Sequence, residues 1–218
     1  MLLAAIPKVE QRRMLRFFTL LPGVLGLVVS AIGVIELGLQ MLGFGDPTEF
    51  GARRWLMFPL SAVCFILSGA ALTIAQSKTS AVALWVSRVL ALIVASASLF
   101  VLFDSALGLH MTVDRLWSRT YEVPAAFRNW HMAINTALAF VLFSQGLFFL
   151  DGDRRDRGLR SQFFATLALI IGFLALVGHI FKVADFYQFQ LLSGMSLSSA
   201  VTFSLLCVGL LFSQLKRG

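Results

Sequence analysis

Charge is scarce in this chain. Asp, Glu, Lys and Arg make up only 13% of its 218 residues, against 58% apolar residues, and the mean hydropathy is +0.85. That scarcity excludes an ordinary soluble domain, whose interior at this length is too small to hide so much apolar surface; lipid must solvate much of it. There are only two cysteines, Cys64 and Cys207, both inside apolar runs. They read as small buried apolar residues rather than as a disulfide or metal pair. Also missing are a Gly-rich phosphate loop, a His-Glu-x-x-His zinc motif and a nucleophile elbow, and no Ser and His are spaced as a triad. The chain is therefore expected to have no enzymatic activity of its own, and no residue is assigned as catalytic.

What is present is a set of six long apolar runs, at roughly 18–42, 55–76, 81–104, 130–150, 162–182 and 194–214. Each is near the ~20 residues needed to cross ~30 Å of hydrocarbon. The runs do not alternate apolar and polar residues as barrel strands would, so helices, whose backbone bonds close within the segment, are expected. The expected fold is all-α: a polytopic membrane protein with six transmembrane helices in three repeated hairpins, 18–76, 81–150 and 162–214. These form one domain over 18–218, preceded by a cytoplasmic or interfacial segment at 1–17. In that segment Leu2, Leu3, Ile6 and Val9 suit a brief interfacial helix, and no cleaved signal peptide is expected, since the first apolar run is too long for one.

The repeat is carried by one signature. It reads Met57-x-x-x-Ser61-Ala62-x-x-Phe65-x-Leu67, Met132-x-x-x-Thr136-Ala137-x-x-Phe140-x-Leu142 and Met195-x-x-x-Ser199-Ala200-x-x-Phe203-x-Leu205. The small pairs Ser61-Ala62, Thr136-Ala137 and Ser199-Ala200 let a neighbouring helix approach closely, and the Phe and Leu fill the space further in. Gly23, Gly26, Gly33 and Gly38 offer the first helix a similar stripe. A copied unit of this kind fixes architecture before any single residue is considered.

The net charge of +7 invites a nucleic-acid reading that its distribution argues against. Lys8, Arg12, Arg13, Arg16, Lys78, Arg88, Arg154, Arg155, Arg157, Arg160, Lys216 and Arg217 all fall on one side of an alternating six-span chain. The other side has Arg53, Arg54, Arg115, Arg119, Arg128 and Lys182. The positive-inside rule then places both termini in the cytoplasm, with anionic lipid headgroups as contacts and no nucleic acid as partner. Trp55, Trp117, Trp130, Tyr121 and Tyr187 fit an aromatic belt on the outer side. The longest connection, about 105–129, carries Leu109, Val113, Leu116 and Trp117 on one face of a short surface helix. The Asp151–Gly158 stretch reads as a solvated cytoplasmic turn.

Polar side chains near the outer ends of the spans are the candidate ligand-sensing residues: Glu36, Asp104 and His179 in the first helices of the hairpins, with His131, Asn135 and Asp185 nearby. Ionisable groups within a span are costly unless paired or wetted. Three readings stand open. Glu36 and Asp104 are satisfied near the headgroups by Arg53, Arg54 or helix amides; or the group forms a pocket for a small molecule, ion or proton; or His131 and His179 ligate a haem or metal, with His110 as an alternative ligand. No cofactor is expected under the first two.

Two stretches also carry a resemblance: Phe103-Asp104-Ser105-Ala106-Leu107-Gly108, and His131-Met132-Ala133-Ile134-Asn135-Thr136-Ala137-Leu138-Ala139-Phe140. Leu176-Val177-Gly178-His179 and Met195 to Ala200 repeat parts of it. Together they resemble the membrane-embedded, six-helix sensor region at the N-terminus of bacterial histidine kinases and diguanylate cyclases. His179 stands where that family often has an aromatic residue, Ser199 replaces its usual Thr, and Glu36 replaces an apolar residue. The resemblance implies a signal-input module for two-component or cyclic di-GMP signalling, set in a bacterial inner membrane. A stimulus from outside or from the bilayer would shift the hairpins, and the last helix would pass that shift to a cytoplasmic kinase or cyclase output, in cis or in trans. It also implies a homodimer. With the sequence stopping at Gly218, the chain is expected to be either an excised input module or a stand-alone relative of one. The alternatives are a redox subunit holding haem b or quinone through His131 and His179, and a small-solute transporter or structural subunit of a membrane complex.

Overall fold

The computed structural model describes residues 8–42, 57–76, 81–108, 132–150, 155–181 and 195–214. Among them the regular structure is all helical: α1 (Lys8–Met41), α2 (Pro59–Ala75), α3 (Ala81–Leu107), α4 (Ile134–Phe148), α5 (Arg155–Phe181) and α6 (Leu197–Gln214). The segments Phe18–Met41, Ala81–Leu107 and Gly158–Phe181 are long and apolar enough to cross a membrane, each with a mean hydropathy of 2.3. α2, α4 and α6 are apolar but shorter. At 1.5 Å per residue, the 15 residues of α4 cover ~22 Å.

Long and short helices alternate around the bundle. α1 packs on α2 and α6, α3 on α2 and α4, and α5 on α4 and α6, while the three short helices also touch one another in the middle. The surfaces follow from that placement. Large exposed apolar side chains crowd α1, α3 and α5, among them Leu27, Ile35, Leu92, Phe103, Phe173 and Ile180. On the short helices only Val63, Leu138, Phe148 and Val201 are of this kind among the described residues, and Val63, Leu138 and Val201 each lie six residues after a signature Met. Among the described residues polar side chains are few on the outer surfaces of the long helices, Ser96, Ser105, Arg160, Gln162 and Thr166 being the exposed ones outside α1, as suits rods solvated by lipid.

The signature residues occupy matching places. Met57, Met132 and Met195 are buried and precede their helices, which begin two residues later at Pro59, Ile134 and Leu197. In each case the residue after the Met gives its carbonyl to the amide of the signature alanine: Ala62 to Phe58, Ala137 to Ala133 and Ala200 to Ser196, all at 2.9 Å. Phe58 and Ala133 are extended (φ −75°, ψ 147° and φ −62°, ψ 140°). At Phe58 the cause is Pro59, which drives its predecessor out of the helical region and is itself suited to a first helical turn. At α6 the Ser196 hydroxyl accepts the Ser199 amide at 3.2 Å, an N-cap bond.

Eight residues after each Met, the signature phenylalanines meet. Phe65, Phe140 and Phe203 are each 0% exposed. Their ring centroids are 4.7 Å (Phe65–Phe140), 5.6 Å (Phe65–Phe203) and 4.9 Å (Phe140–Phe203) apart, all edge to face. This is the favoured geometry for aromatic quadrupoles. Fourteen residues after two of the methionines a second device recurs, where a serine of the next long helix donates to a short-helix carbonyl: Ser87 to Ala71 at 2.9 Å and Ser161 to Gly146 at 2.6 Å.

α1 and α2 come closest. A Cβ on Gly26 would lie 2.7 Å from the Gly69 carbonyl oxygen, and one on Gly33 would lie 2.9 Å from that of Ala62. The contact is reinforced by Ser30 Oγ donating to the Ile66 carbonyl at 3.0 Å and by Thr73 Oγ1 donating to that of Gly23 at 3.3 Å. Gly23 and Gly38, expected in the same stripe, have nothing within 4 Å of a Cβ, so the close approach does not require glycine at either.

Several expected boundaries shift. The apolar runs at 55, 130 and 194 enter helix only at 59, 134 and 197, because hydropathy does not register the extended Met segments. α1 begins at Lys8, so the helix that carries the first apolar run extends back over residues 8–17. α5 begins at Arg155, so half of the expected charged turn is helix. α3 runs on to Leu107 and stops at Gly108, whose φ of +61° lies in the left-handed region that glycine tolerates at a helix C-terminus. The expected surface helix at 105–129 beyond Gly108, the aromatic-belt residues Trp55, Trp117, Trp130, Tyr121 and Tyr187, and Leu2, Leu3 and Ile6 lie outside the described residues.

Candidate functional site

The bundle end where the three methionines lie brings two of the six sensing candidates to one helix start. Glu36, five residues before the end of α1, reaches across to α6: the Ser198 hydroxyl donates to its Oε1 at 2.5 Å. Its Oε2 accepts the Met57 amide at 3.3 Å, at the approach to α2. One turn further along α1, Gln40 Nε2 donates to the Met57 carbonyl at 2.5 Å. From α5, His179 Nε2 meets the Met195 carbonyl at 2.8 Å. A carbonyl can only accept, so the ring nitrogen there carries the proton.

A physical logic links these contacts. A helix start leaves backbone amides without intrahelical partners, and the extended Met segments add exposed peptide groups before it. Within an apolar bundle such groups are expensive unless bonded. The long helices supply the partners. α1 grips the Met57 peptide from both sides with Glu36 and Gln40, and α5 grips Met195 with His179. The start of α6 is thus held by two ionisable side chains from two different helices, Glu36 at Ser198 and His179 at Met195.

Two other candidates lie among the described residues. Asp104 is buried, at 7% exposure, on α3, which packs on α2 and α4. Asn135 is half-buried in the first turn of α4. It stands three residues after Met132, the register that Ser198 holds after Met195. His131 and Asp185 lie outside the described residues, as do Arg53, Arg54, His110 and Lys182. Ser61, Ala62, Thr136, Ala137, Ser199 and Ala200 are all buried, at 0–1% exposure. Among the described residues no group of three or more His, Cys, Asp and Glu gathers as a metal site, and the Nε2 of His179 is engaged by a backbone carbonyl.

Reading the sequence for ionisable groups missed four participants: Ser198, Gln40, the Met57 backbone and the Met195 backbone. Ser198 was open to discovery, since it shares the register of Asn135. Gln40, one turn from Glu36, was equally visible. The backbone partners were not, because nothing in the composition announces that a Met segment is extended.

Compared with known proteins, the chain matches no family model, no curated protein and no solved structure.

Proposed function

We propose that the chain is a sensory module with six membrane spans in three hairpins and both termini in the cytoplasm. In it, a change at the outer ends of α1 and α5 alters the seating of α6, which passes the shift to a cytoplasmic kinase or cyclase output in cis or in trans. The observation that carries this reading is the double grip on α6. The helix that leads towards Lys216 and Arg217 begins between Glu36 of α1 and His179 of α5. A stimulus that binds or protonates either side chain would stabilise one seating over another, and a population shift needs only such a differential. The alternation of lipid-suited long helices around a central trio supports the membrane reading, and the resemblance to kinase and cyclase input regions supports the output class. A homodimer is part of the same proposal.

The test joins the chain to a cytoplasmic kinase reporter. Glu36→Ala and His179→Ala should each change basal output severalfold, with the protein still inserted and its thermal midpoint within a few degrees of wild type. About 1 kcal/mol is at stake in each side-chain bond. Output identical to wild type in both variants would sink the proposal. Reporter fusions near residues 48, 120 and 188 should report the outer side, and those near 78 and 153 the cytoplasm; any other pattern removes the six-span topology.

A further inference from the structure

Glu36 and Gln40 stand one turn apart on α1, the spacing that sets two side chains on one face of a helix. Both reach the same residue. Glu36 Oε2 accepts from the Met57 amide, and Gln40 Nε2 donates to the Met57 carbonyl. Those bonds leave two needs unmet. The Glu36 carboxylate is met by an amide and by the Ser198 hydroxyl, and no basic side chain among the described residues neutralises it. Gln40 Oε1 is buried and accepts no hydrogen bond. A carboxylate in an apolar bundle is costly without a counter-charge, and a desolvated amide oxygen without a donor adds to that cost.

We propose that this corner of the bundle, where α1 faces Met57 and the start of α6, binds a small monovalent metal cation of the sodium type. Its ligands are the Glu36 carboxylate, Gln40 Oε1 and the Ser198 hydroxyl oxygen. As a stimulus the ion rests on the sensory reading above; as a site it rests only on these side chains. An ionised carboxylate has about four lone-pair sites, of which the Met57 amide and Ser198 use two, and a hydroxyl that donates keeps lone pairs of its own. All three ligands are hard oxygens, which suit alkali and alkaline-earth ions over transition metals. A single formal negative charge favours the monovalent ion, since Ca2+ gathers about 6–8 oxygens and Mg2+ holds on to its waters. Water alone would serve Gln40 Oε1 but leave the charge of Glu36 unanswered. The ion answers both, and through Ser198 it ties α1 to α6.

The test is the thermal midpoint of the full chain in neutral detergent, with choline chloride replaced stepwise by sodium chloride so that ionic strength stays constant. Wild type should melt higher in sodium by roughly 4 °C or more, the shift expected of a ligand present well above its dissociation constant. Glu36→Gln, which keeps the size and removes the charge, should lose that shift. Gln40→Leu should need at least roughly tenfold more sodium for the same shift, through loss of one ligand oxygen. Asp156→Asn removes the same charge from the first turn of α5, at the other end of the bundle, and should respond as wild type. If Glu36→Gln does not fold, line broadening of the sodium NMR signal by wild type, and its loss with Gln40→Leu, carries the same test. A wild-type midpoint indifferent to sodium, or a shift retained in Glu36→Gln, overturns the site while leaving the grip on α6 in place. Calcium that stabilises more than sodium at equal concentration overturns the monovalent assignment. Sodium binding with unchanged output from the kinase reporter upholds the site and overturns the ion as the stimulus.

Discussion

Phe203→Ala should destabilise the bundle by about 3–5 kcal/mol, the cost of a large void among rings that cannot close over it. Phe203 is 0% exposed and touches Phe65, Phe140 and Phe143, the last at 6.3 Å between centroids. In surroundings of lipid, the loss is one of contact and edge-to-face attraction rather than of transfer from water. Thermal or denaturant unfolding of the purified protein in detergent measures it. Phe173→Ala is the control: Phe173 is 55% exposed on α5 and should change stability by less than about 0.5 kcal/mol. Phe65→Ala and Phe140→Ala should match Phe203→Ala, since the three rings share one contact set. Combining two of them should cost less than the sum, because neighbours in contact are not additive. A Phe203 variant as stable as the Phe173 variant would mean that the three rings do not form the centre.

Gly69→Leu should be at least as damaging, through crowding instead of a void. Even a Cβ at this position would lie 2.5 Å from Ser30 Oγ and 2.9 Å from Ser30 N, against the backbone of α1. Backbone cannot yield as a side-chain tip can, so α1 must move away. That movement takes with it the Ser30 bond to Ile66 and the Thr73 bond to Gly23. A loss of about 3 kcal/mol or more is expected, at the upper end of overpacking effects. Gly38→Leu, with nothing within 4 Å of its added Cβ, should be close to neutral apart from the small helical preference for Leu over Gly. Limited proteolysis reads the contrast directly: the Gly69 variant should be cut early and the Gly38 variant at the wild-type rate. Similar behaviour of both would show that α1 and α2 do not approach as closely as described.

Much of the helical layout was legible because a 3.6-residue turn repeats side-chain environments faithfully. Met, the small pair and Phe return to the same burial in α2, α4 and α6 because each helix starts two residues after its Met. The motif behind the family resemblance has a packing account here as well. Gly108 ends α3, the small residues line contact faces and the phenylalanines fill the centre, so these residues speak to architecture more than to a ligand. Legibility failed where backbone decides. Hydropathy cannot separate an extended apolar dipeptide such as Met57-Phe58 from the first turn of a helix, so the peptide groups that Glu36, Gln40 and His179 serve went unseen. It also could not tell Gly26 from Gly38, since only rotation about α1 puts the Cβ position of one against α2 and leaves that of the other open. Depth along a helix was legible for Glu36, Asp104 and His179, whereas convergence depends on which way around the ring each helix faces, and hydropathy carries no such direction.

Val63, Leu138 and Val201, at 38%, 42% and 41% exposure, show the short helices to the outside at the same height. The outer palisade therefore has three slots, one between each pair of long helices, through which a fatty-acyl tail can lean directly on the middle layer. A bilayer that becomes thicker, stiffer or more crowded would then press on the three central rods themselves, two turns or less from the ring cluster that joins them, without first having to displace the outer wall.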